Sequence, residues 1–594
     1  MLQLWYDATK QLQLGYMFES HNQLISKEIP SIMPRRHTIE QVRPEYMCKW
    51  AFELFRSDLS LVTQDFRRVF EIYNLHFGGR APRCNLATSP RVCDGKAPGN
   101  CQRFESEGVI QAAHDVDCPG PSACSVLTWD EQSYKNVTGA RAVCIEETDG
   151  KHIRYCPLSS ETMAVSHVWS HGQGGRPETG FNICLHRRYT ALARSLNCTS
   201  YWMDSPCIPS DHELRNEAIA QINDSFANSK LTLLVDRDLM EIPIHPLTLQ
   251  AEEAILAALV VCDWNVRAWT LLEGMQGRLN LTIMAKDNHT IPLLTVLSDI
   301  VSKSTLDLVS PCLAIEHYTP TRGHKISYRE PVTTEQATCL LNHRHATKDR
   351  DVPMIWSLIS ASTTANTTKV LKTAEDFWKS KSGEMLATGF LVSSAPRIKQ
   401  VRGLSWAPSR PNLLPPSTTT TSTKQYPAFD GQNSVAGEIT LKGFKAEWLA
   451  CPIRRLKAFP KGVWFSVHTY TDSTSHTDAY YRIYNPNLNT TTSTEKTTPP
   501  SKPDLRDLLT LRTLIAPLLK QYRWVSLLLP ALRHRTSSGA VAPPRPFPYQ
   551  GEVQGLLLVV VASDDGVEWE WQFVSEWDVK VPLPEFSLEE ILIV

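Results

Sequence analysis

Between residues 161 and 300 the chain alternates short apolar runs with amphipathic stretches, and this constrains its fold more than any other feature. Met163–Trp169 reads as a buried strand, and Cys184–Leu196 as a helix with Leu185, Tyr189, Leu192 and Leu196 on one face. Ser200–Asp204 follows as a short strand, then Asp211–Asn228 as a helix striped by Leu214, Ala218, Ile222 and Phe226. Leu231–Val235 is a strand, Ala251–Cys262 an apolar helix, and Leu279–Met284 another strand. Apolar residues recurring at helical spacing between short β-rich runs predict a parallel sheet covered by helices. In such a sheet, ligands bind beyond the carboxyl ends of the strands. Side chains placed there by the sequence are the ones to inspect.

Three blocks occupy such positions. The first is Ser166–Gly175, Ser-His-Val-Trp-Ser-His-Gly-Gln-Gly-Gly, a strand running into a glycine-rich loop. Glycines such as Gly172 let backbone N–H groups approach a ligand closely. The loop carries neither phosphate-binding glycine motif, so a plain surface loop is an equal reading. The second block places Asp204 after Tyr201-Trp202-Met203 and before Ser205-Pro206-Cys207. An acid at a strand end can bind a hydroxyl or orient a base, although Asp-Ser-Pro is also good turn chemistry. Cys207 is a candidate nucleophile if a histidine lies near it, against the commoner reading of a small buried residue. The third block is Arg267-Ala268-Trp269-Thr270-Leu271-Leu272-Glu273. Trp269 and Glu273 are four residues apart and share a helix face. An apolar setting would raise the carboxyl pKa and suit it to acid/base work; the plain alternative is a core tryptophan and a solvated glutamate.

Beyond this stretch the signals are coarser. A chain of 594 residues predicts two to four domains. Its 61 basic and 62 acidic side chains give a net charge of −1, which excludes a nucleic-acid footprint. Met1–Tyr16 lacks an apolar core, and the longest apolar runs fall far short of a membrane span. The expectation is a cytoplasmic protein. Residues 45–77 read as a packing helix through Phe66, Val69, Phe70 and Tyr73, stopped at Gly78-Gly79. Eight of 15 cysteines lie between Cys48 and Cys156. Without a secretory signal, thiols or metal explain them better than disulfides. Cys101, His114, Cys118 and Cys124 form the candidate zinc set, with free thiols as the alternative. Pro415–Lys424, Asn485–Pro503 and Arg535–Gln550 are rich in proline, and the first two also in threonine; all three read as linkers. The strand-like runs Glu438–Leu441, Val463–Val467, Leu556–Ala562 and Trp569–Val574 predict a β-rich C-terminal part.

Taken in order, the three blocks resemble the fungal heterokaryon-incompatibility (HET) domain, over about a fifth of the chain. Its pattern runs Ser-Tyr-x-Trp-Gly, Tyr-x-Trp-Ile-Asp-x-x-Cys-Ile-x-Gln and Arg-x-Trp-Thr-x-Gln-Glu. Ser166, Trp169, Trp202, Asp204, Cys207, Ile208, Arg267, Trp269, Thr270 and Glu273 occupy matching positions, with Tyr201 one residue from the pattern's tyrosine. His167, Ser170, Pro209, Ser210 and Leu272 depart from it. The family is in turn similar to TIR domains, in which a Trp-Cys-x-x-Glu helix carries the glutamate of NAD cleavage. The resemblance implies an α/β fold, a flavodoxin/TIR-like mostly parallel sheet with helices on both faces. It implies Glu273 and Asp204 as catalytic residues, and Ser166, Trp169, Gly172, Trp202, Arg267 and Trp269 around an NAD substrate. The implied function is fungal non-self recognition, triggering cell death on meeting an incompatibility partner. A non-catalytic module that self-associates and recruits partners is the alternative. A third is a zinc-organised scaffold with a ligand-binding C-terminal part. The expected divisions are a helical 1–80, a Cys-rich 81–160, the HET-like 161–310, a mixed 311–412 and a β-rich 413–594.

Overall fold

The computed structural model describes residues 47–56, 66–79, 113–145 (without 121), 150–319 (without 305), 332–360 (without 343, 347 and 349), 371–411 (without 394), 435–454, 515–532 (without 516), 545–546, 556–577 and 586–594. They divide into two compact units, Met1–Val332 with Leu340–Val370, and Thr333–Cys339 with Leu371–Val594. Residues of the expected 311–412 division occur in both units. Among the described residues no helix is long and apolar enough to cross a membrane. Cys101, Val463–Val467 and the first two proline-rich segments lie outside the described residues.

The first unit is built on a seven-stranded sheet. In chain order its strands are β1 (Arg141–Cys144), β2 (Tyr155–Pro157), β3 (Thr162–His167), β4 (Ser200–Trp202), β5 (Leu231–Val235), β6 (Leu281–Met284) and β7 (Thr290–Pro292). Their order in space is β7-β6-β5-β3-β4-β1-β2. The four central strands are parallel. Every residue of β3 is buried, as expected of a strand covered on both faces. The expectation of a mostly parallel sheet needs correction, because β7, β1 and β2 each join antiparallel. Two of those strands come from the Cys-rich division 81–160. They are only three and four residues long, too short for their alternation to show against the surrounding Gly and Pro.

Between residues 161 and 300 the helices follow the pattern closely, with one exception. Within 45–77, expected as one helix, the described residues form Lys49–Arg56 and Arg67–Phe77, and 57–65 lie outside the described residues. Helix α1 (Ile183–Ser195) links β3 to β4. The single helix expected over Asp211–Asn228 is two, α2 (His212–Ala220) and α3 (Ile222–Asn228). Asp211 caps α2 by accepting from the N–H groups of Glu213 and Leu214. Gln221, at φ −95° and ψ 0°, ends α2. The kink buries Ile219 in place of the expected Leu214 and Ala218. Helix α4 (Leu249–Leu259) is capped by Thr248 and buried from Ala251 to its end. The N-terminal helix Arg67–Phe77 packs on α4 through the buried Val69, Phe70 and Tyr73. The neighbours of α4 account for one acid inside its apolar stretch: Glu253 accepts from the Ser304 hydroxyl at 2.6 Å and lies 3.7 Å from the Arg68 guanidinium. Helix α5 (Ala268–Gln276) lies against β3 and β5.

The second unit is β-rich, as expected, and contains a closed barrel. Gly443–Arg454 pairs with both Trp524–Leu532 and Ser587–Ile593. Leu556–Ser563 and Glu568–Trp577 complete the ring. Strand directions cannot alternate all the way round a ring of five, so one neighbouring pair must be parallel. That pair is Glu568–Trp577 with Ser587–Ile593. Alternate residues Leu449 and Cys451, then Val525, Leu527 and Leu529, then Leu558, Val560 and Ala562, form one core. The opposite side of Gly443–Arg454 presents Phe444 and Trp448, which pack in line with Trp406 and Trp378.

Candidate functional site

Strand β3 has β4 on one side and β5 on the other, so the chain reverses its direction of winding there. That is the switch point at which open α/β sheets leave a crevice. Ser166 and His167 end β3, Asp204 follows β4 and Asp236 follows β5. Successive strand residues point to opposite faces, so Ser166 and His167 engage different partners.

Ser166 meets the third sequence block. Its hydroxyl donates to Glu273 Oε2 at 2.5 Å and accepts from Trp264 Nε1 at 2.7 Å. Glu273 is 8 % exposed. Burial, reinforced by the nearby Asp204 charge, pushes its carboxyl up to about 8, against the opposing influence of Ser166 and Arg267. Glu273 is therefore mainly protonated at neutral pH.

His167 meets the second block. Its Nε2 lies 2.6 Å from Asp204 Oδ1, and the Trp169 indole N–H donates to Asp204 Oδ2. Burial opposes ionisation of Asp204, but His167, the Trp169 N–H and Arg176 outweigh it and hold the carboxyl below its ordinary range. The Arg176 guanidinium stacks 4.9 Å above the Trp169 ring. Two carboxyls that influence each other thus hold opposite protonation states, the arrangement from which acid and base roles arise.

Ser166, Glu273, Asp204, Trp169 and Arg267 come together here, whereas Trp202, Gly172 and Cys207 do not join them. Trp202 is 4 % exposed and packs edge-on against Phe226 at 5.0 Å, so it is core and not a ligand contact. The strand ends at Trp202 and a short helix begins at Asp204, so the acid is not bound to the orientation of the tryptophan two residues before it. Gly172 takes φ 82° to close the turn Trp169–His171, donates its N–H to the Trp169 carbonyl and accepts from Ala113 N–H. Its backbone is committed to that turn and not offered to a ligand. Cys207 is 2 % exposed, and burial pushes its thiol up to about 12, which removes it as a nucleophile. Trp269 is partly exposed, and its N–H donates to Asp351 Oδ2 at 3.1 Å.

Sequence reasoning missed Trp264, Asp263 and Asp351. Asp263 Oδ2 lies 2.9 Å from His171 Nε2 and 3.2 Å from the Arg237 guanidinium, tying the glycine-rich loop to the turn before α5. Trp264 N–H donates to Asp236. An Asp-Trp pair just ahead of the Arg267 block was the available signal. Asp351 had none, being 82 residues from its partner.

A second cluster lies apart from these carboxyls. His114, Cys118, Cys124 and Cys184 bring one ligand atom each to within 4.8 Å of one another. Three of the four were in the expected metal set. Cys184, expected only as the start of a helix, fills the fourth position in the cluster; Cys101 lies outside the described residues. Cys184 is 60 residues beyond Cys124, and only folding of α1 against the upstream segment brings it there. None of the family models, curated proteins or solved structures compared with the chain matches it.

Proposed function

We propose that this is a HET-type protein of fungal non-self recognition, and that its α/β unit triggers cell death by hydrolysing NAD when it meets its incompatibility partner. The observation that carries the reading is the pairing of Ser166 with a protonated Glu273 beside an ionised Asp204. The parallel strands, taken in chain order, lie 2-1-3-4 across the sheet, which supports a flavodoxin/TIR-like architecture.

In this reading the bond from the ribose anomeric carbon to the nicotinamide nitrogen breaks, and its electron pair leaves with nicotinamide. Water adds to the carbon and releases a proton to solvent. The developing positive charge on the ribose is stabilised by the Asp204 anion. The neutral Glu273 carboxyl orients a ribose hydroxyl, Trp269 and Trp169 flank the rings, and Arg267 faces the phosphates.

The test is NAD consumption by the purified full-length chain, followed by chromatography. Release of nicotinamide that disappears in Glu273→Ala supports the proposal. Turnover that survives Glu273→Ala removes Glu273 from the mechanism. Intact NAD in a self-associated sample, measured by light scattering, supports the non-catalytic module instead.

A further inference from the structure

The upstream cluster has the chemistry of a metal site: three thiols and one imidazole converging from two separated segments. Tight turns bring the first segment round. The N–H of Cys118 donates to the Asp115 carbonyl, and those of Ala123 and Cys124 to the Gly120 carbonyl. Gly120, at φ 116°, takes a conformation open to glycine. The fourth member, Cys184, stands in the first turn of α1. His114 Nδ1 lies 3.4 Å from Cys118 Sγ and 3.6 Å from Cys184 Sγ. A tetrahedral zinc with bonds of about 2.3 Å to sulfur and about 2.0 Å to nitrogen has N···S edges of about 3.5 Å. The corresponding S···S edge is about 3.8 Å, and no separation in the cluster exceeds 4.8 Å, so closure shortens any of them by no more than roughly 1 Å. The Asp115 N–H donates to Cys184 Sγ at 3.3 Å, the kind of outer hydrogen bond that orients a ligand.

We propose that His114, Cys118, Cys124 and Cys184 bind one zinc ion that staples residues 113–125 to α1 and thereby positions the glycine-rich loop of the crevice. A thiolate-rich set selects zinc over oxygen-seeking magnesium or calcium. Four protein ligands make the site structural and closed. The route to the loop is short. Ala113 donates its N–H to the Gly172 carbonyl at 3.0 Å and accepts from the Asn182 amide at 2.9 Å. Asp115 pairs with Arg188 of α1 at 2.7 Å. Tyr189 of the same helix donates to Gln173 Oε1. The loop that carries Trp169 and His171 therefore rests on the segment the metal holds. The site does not depend on the NAD proposal, and either can fail without the other.

The test is metal analysis of the full-length chain purified without added metal. About one zinc per chain is expected, falling to near zero in Cys184→Ser and Cys124→Ser. His114→Cys retains it, because a fourth thiolate still completes the set, and Cys156→Ser, outside the cluster, retains it as well. Exchange into cobalt gives the wild-type chain a thiolate-to-cobalt charge-transfer absorption, a readout that needs no variant to fold. Chelation speeds proteolysis within 113–125, and added zinc reverses it. A folded wild-type chain that neither contains zinc nor takes up zinc or cobalt overturns the proposal. So does a disulfide between two of the four residues, or a full zinc complement in Cys184→Ser.

Discussion

The Ser166 hydroxyl donates to Glu273 across 107 residues of sequence, at 2.5 Å and in the interior of the unit. One hydrogen bond does not offset the cost of burying a carboxylate. The Glu273 carboxyl accordingly rises to about 8, with burial as the first cause and the Asp204 charge as the second.

This shift links stability to pH. The folded chain holds the Glu273 proton up to about 8, whereas the unfolded chain releases it near the ordinary 4.5 of a glutamate. The native state binds more protons in that window, so stability falls as pH rises through it. The contribution is complete below pH 4.5 and gone above about 8. Burial holds His186 down to about 4 and drives His317 well below its ordinary 6.5. These two act in the opposite sense: their contribution is present above pH 6.5 and lost as pH falls. The clean interval for Glu273 is pH 6.5 to 8, where the loss should be roughly 1–2 kcal/mol. Urea midpoints across that interval check it. Glu273→Gln should flatten the slope, and a flat wild-type profile would contradict a buried neutral acid.

Asp204→Asn should lower the pH at which Glu273 ionises. It removes the charge that adds to burial while keeping an acceptor for the Trp169 N–H. The readout is the midpoint of the same stability profile. A midpoint that does not move would show that the two carboxyls are uncoupled.

Gly274→Ala should destabilise. On an exposed helix this change is worth about 1 kcal/mol in the favourable direction. Here the added Cβ would lie 2.7 Å from Trp264 Cη2 and 2.8 Å from Tyr318 Cε1. Both rings are fully buried, so overpacking should cost about 1–3 kcal/mol net. Differential scanning calorimetry decides the sign, and a raised melting temperature would contradict the packing.

Two tryptophans of the family-like blocks should behave in opposite ways. Trp202→Ala empties a core position and should cost about 3–5 kcal/mol. Trp169→Phe removes the indole N–H from Asp204 at a partly exposed position. It should change stability by less than about 1.5 kcal/mol yet impair NAD turnover. Equal losses of stability in the two variants would mean that Trp169 is also core.

The strand Leu231–Val235 and the helix Ile183–Ser195 were legible almost residue by residue. Both carry a full period of apolar spacing within their own length, and both are packed as that spacing requires. The kink at Gln221 was not legible, because the 3.6-residue stripe continues across it while the folded chain buries Ile219. Nor were β1 and β2, whose three or four residues fall below the length at which alternation is distinct.

For the site, the sequence by itself determined that Ser166, Asp204 and Glu273 stand where buried strands and helices end. That follows from local periodicity, which each segment carries alone. Only the tertiary structure decided that Ser166 meets Glu273 and Trp264, that Trp202 faces the core, and that Cys184 joins His114. It also decided that one carboxyl holds its proton while the other stays ionised. Those outcomes depend on burial and on charges brought close from distant positions, and residue spacing along the chain encodes neither.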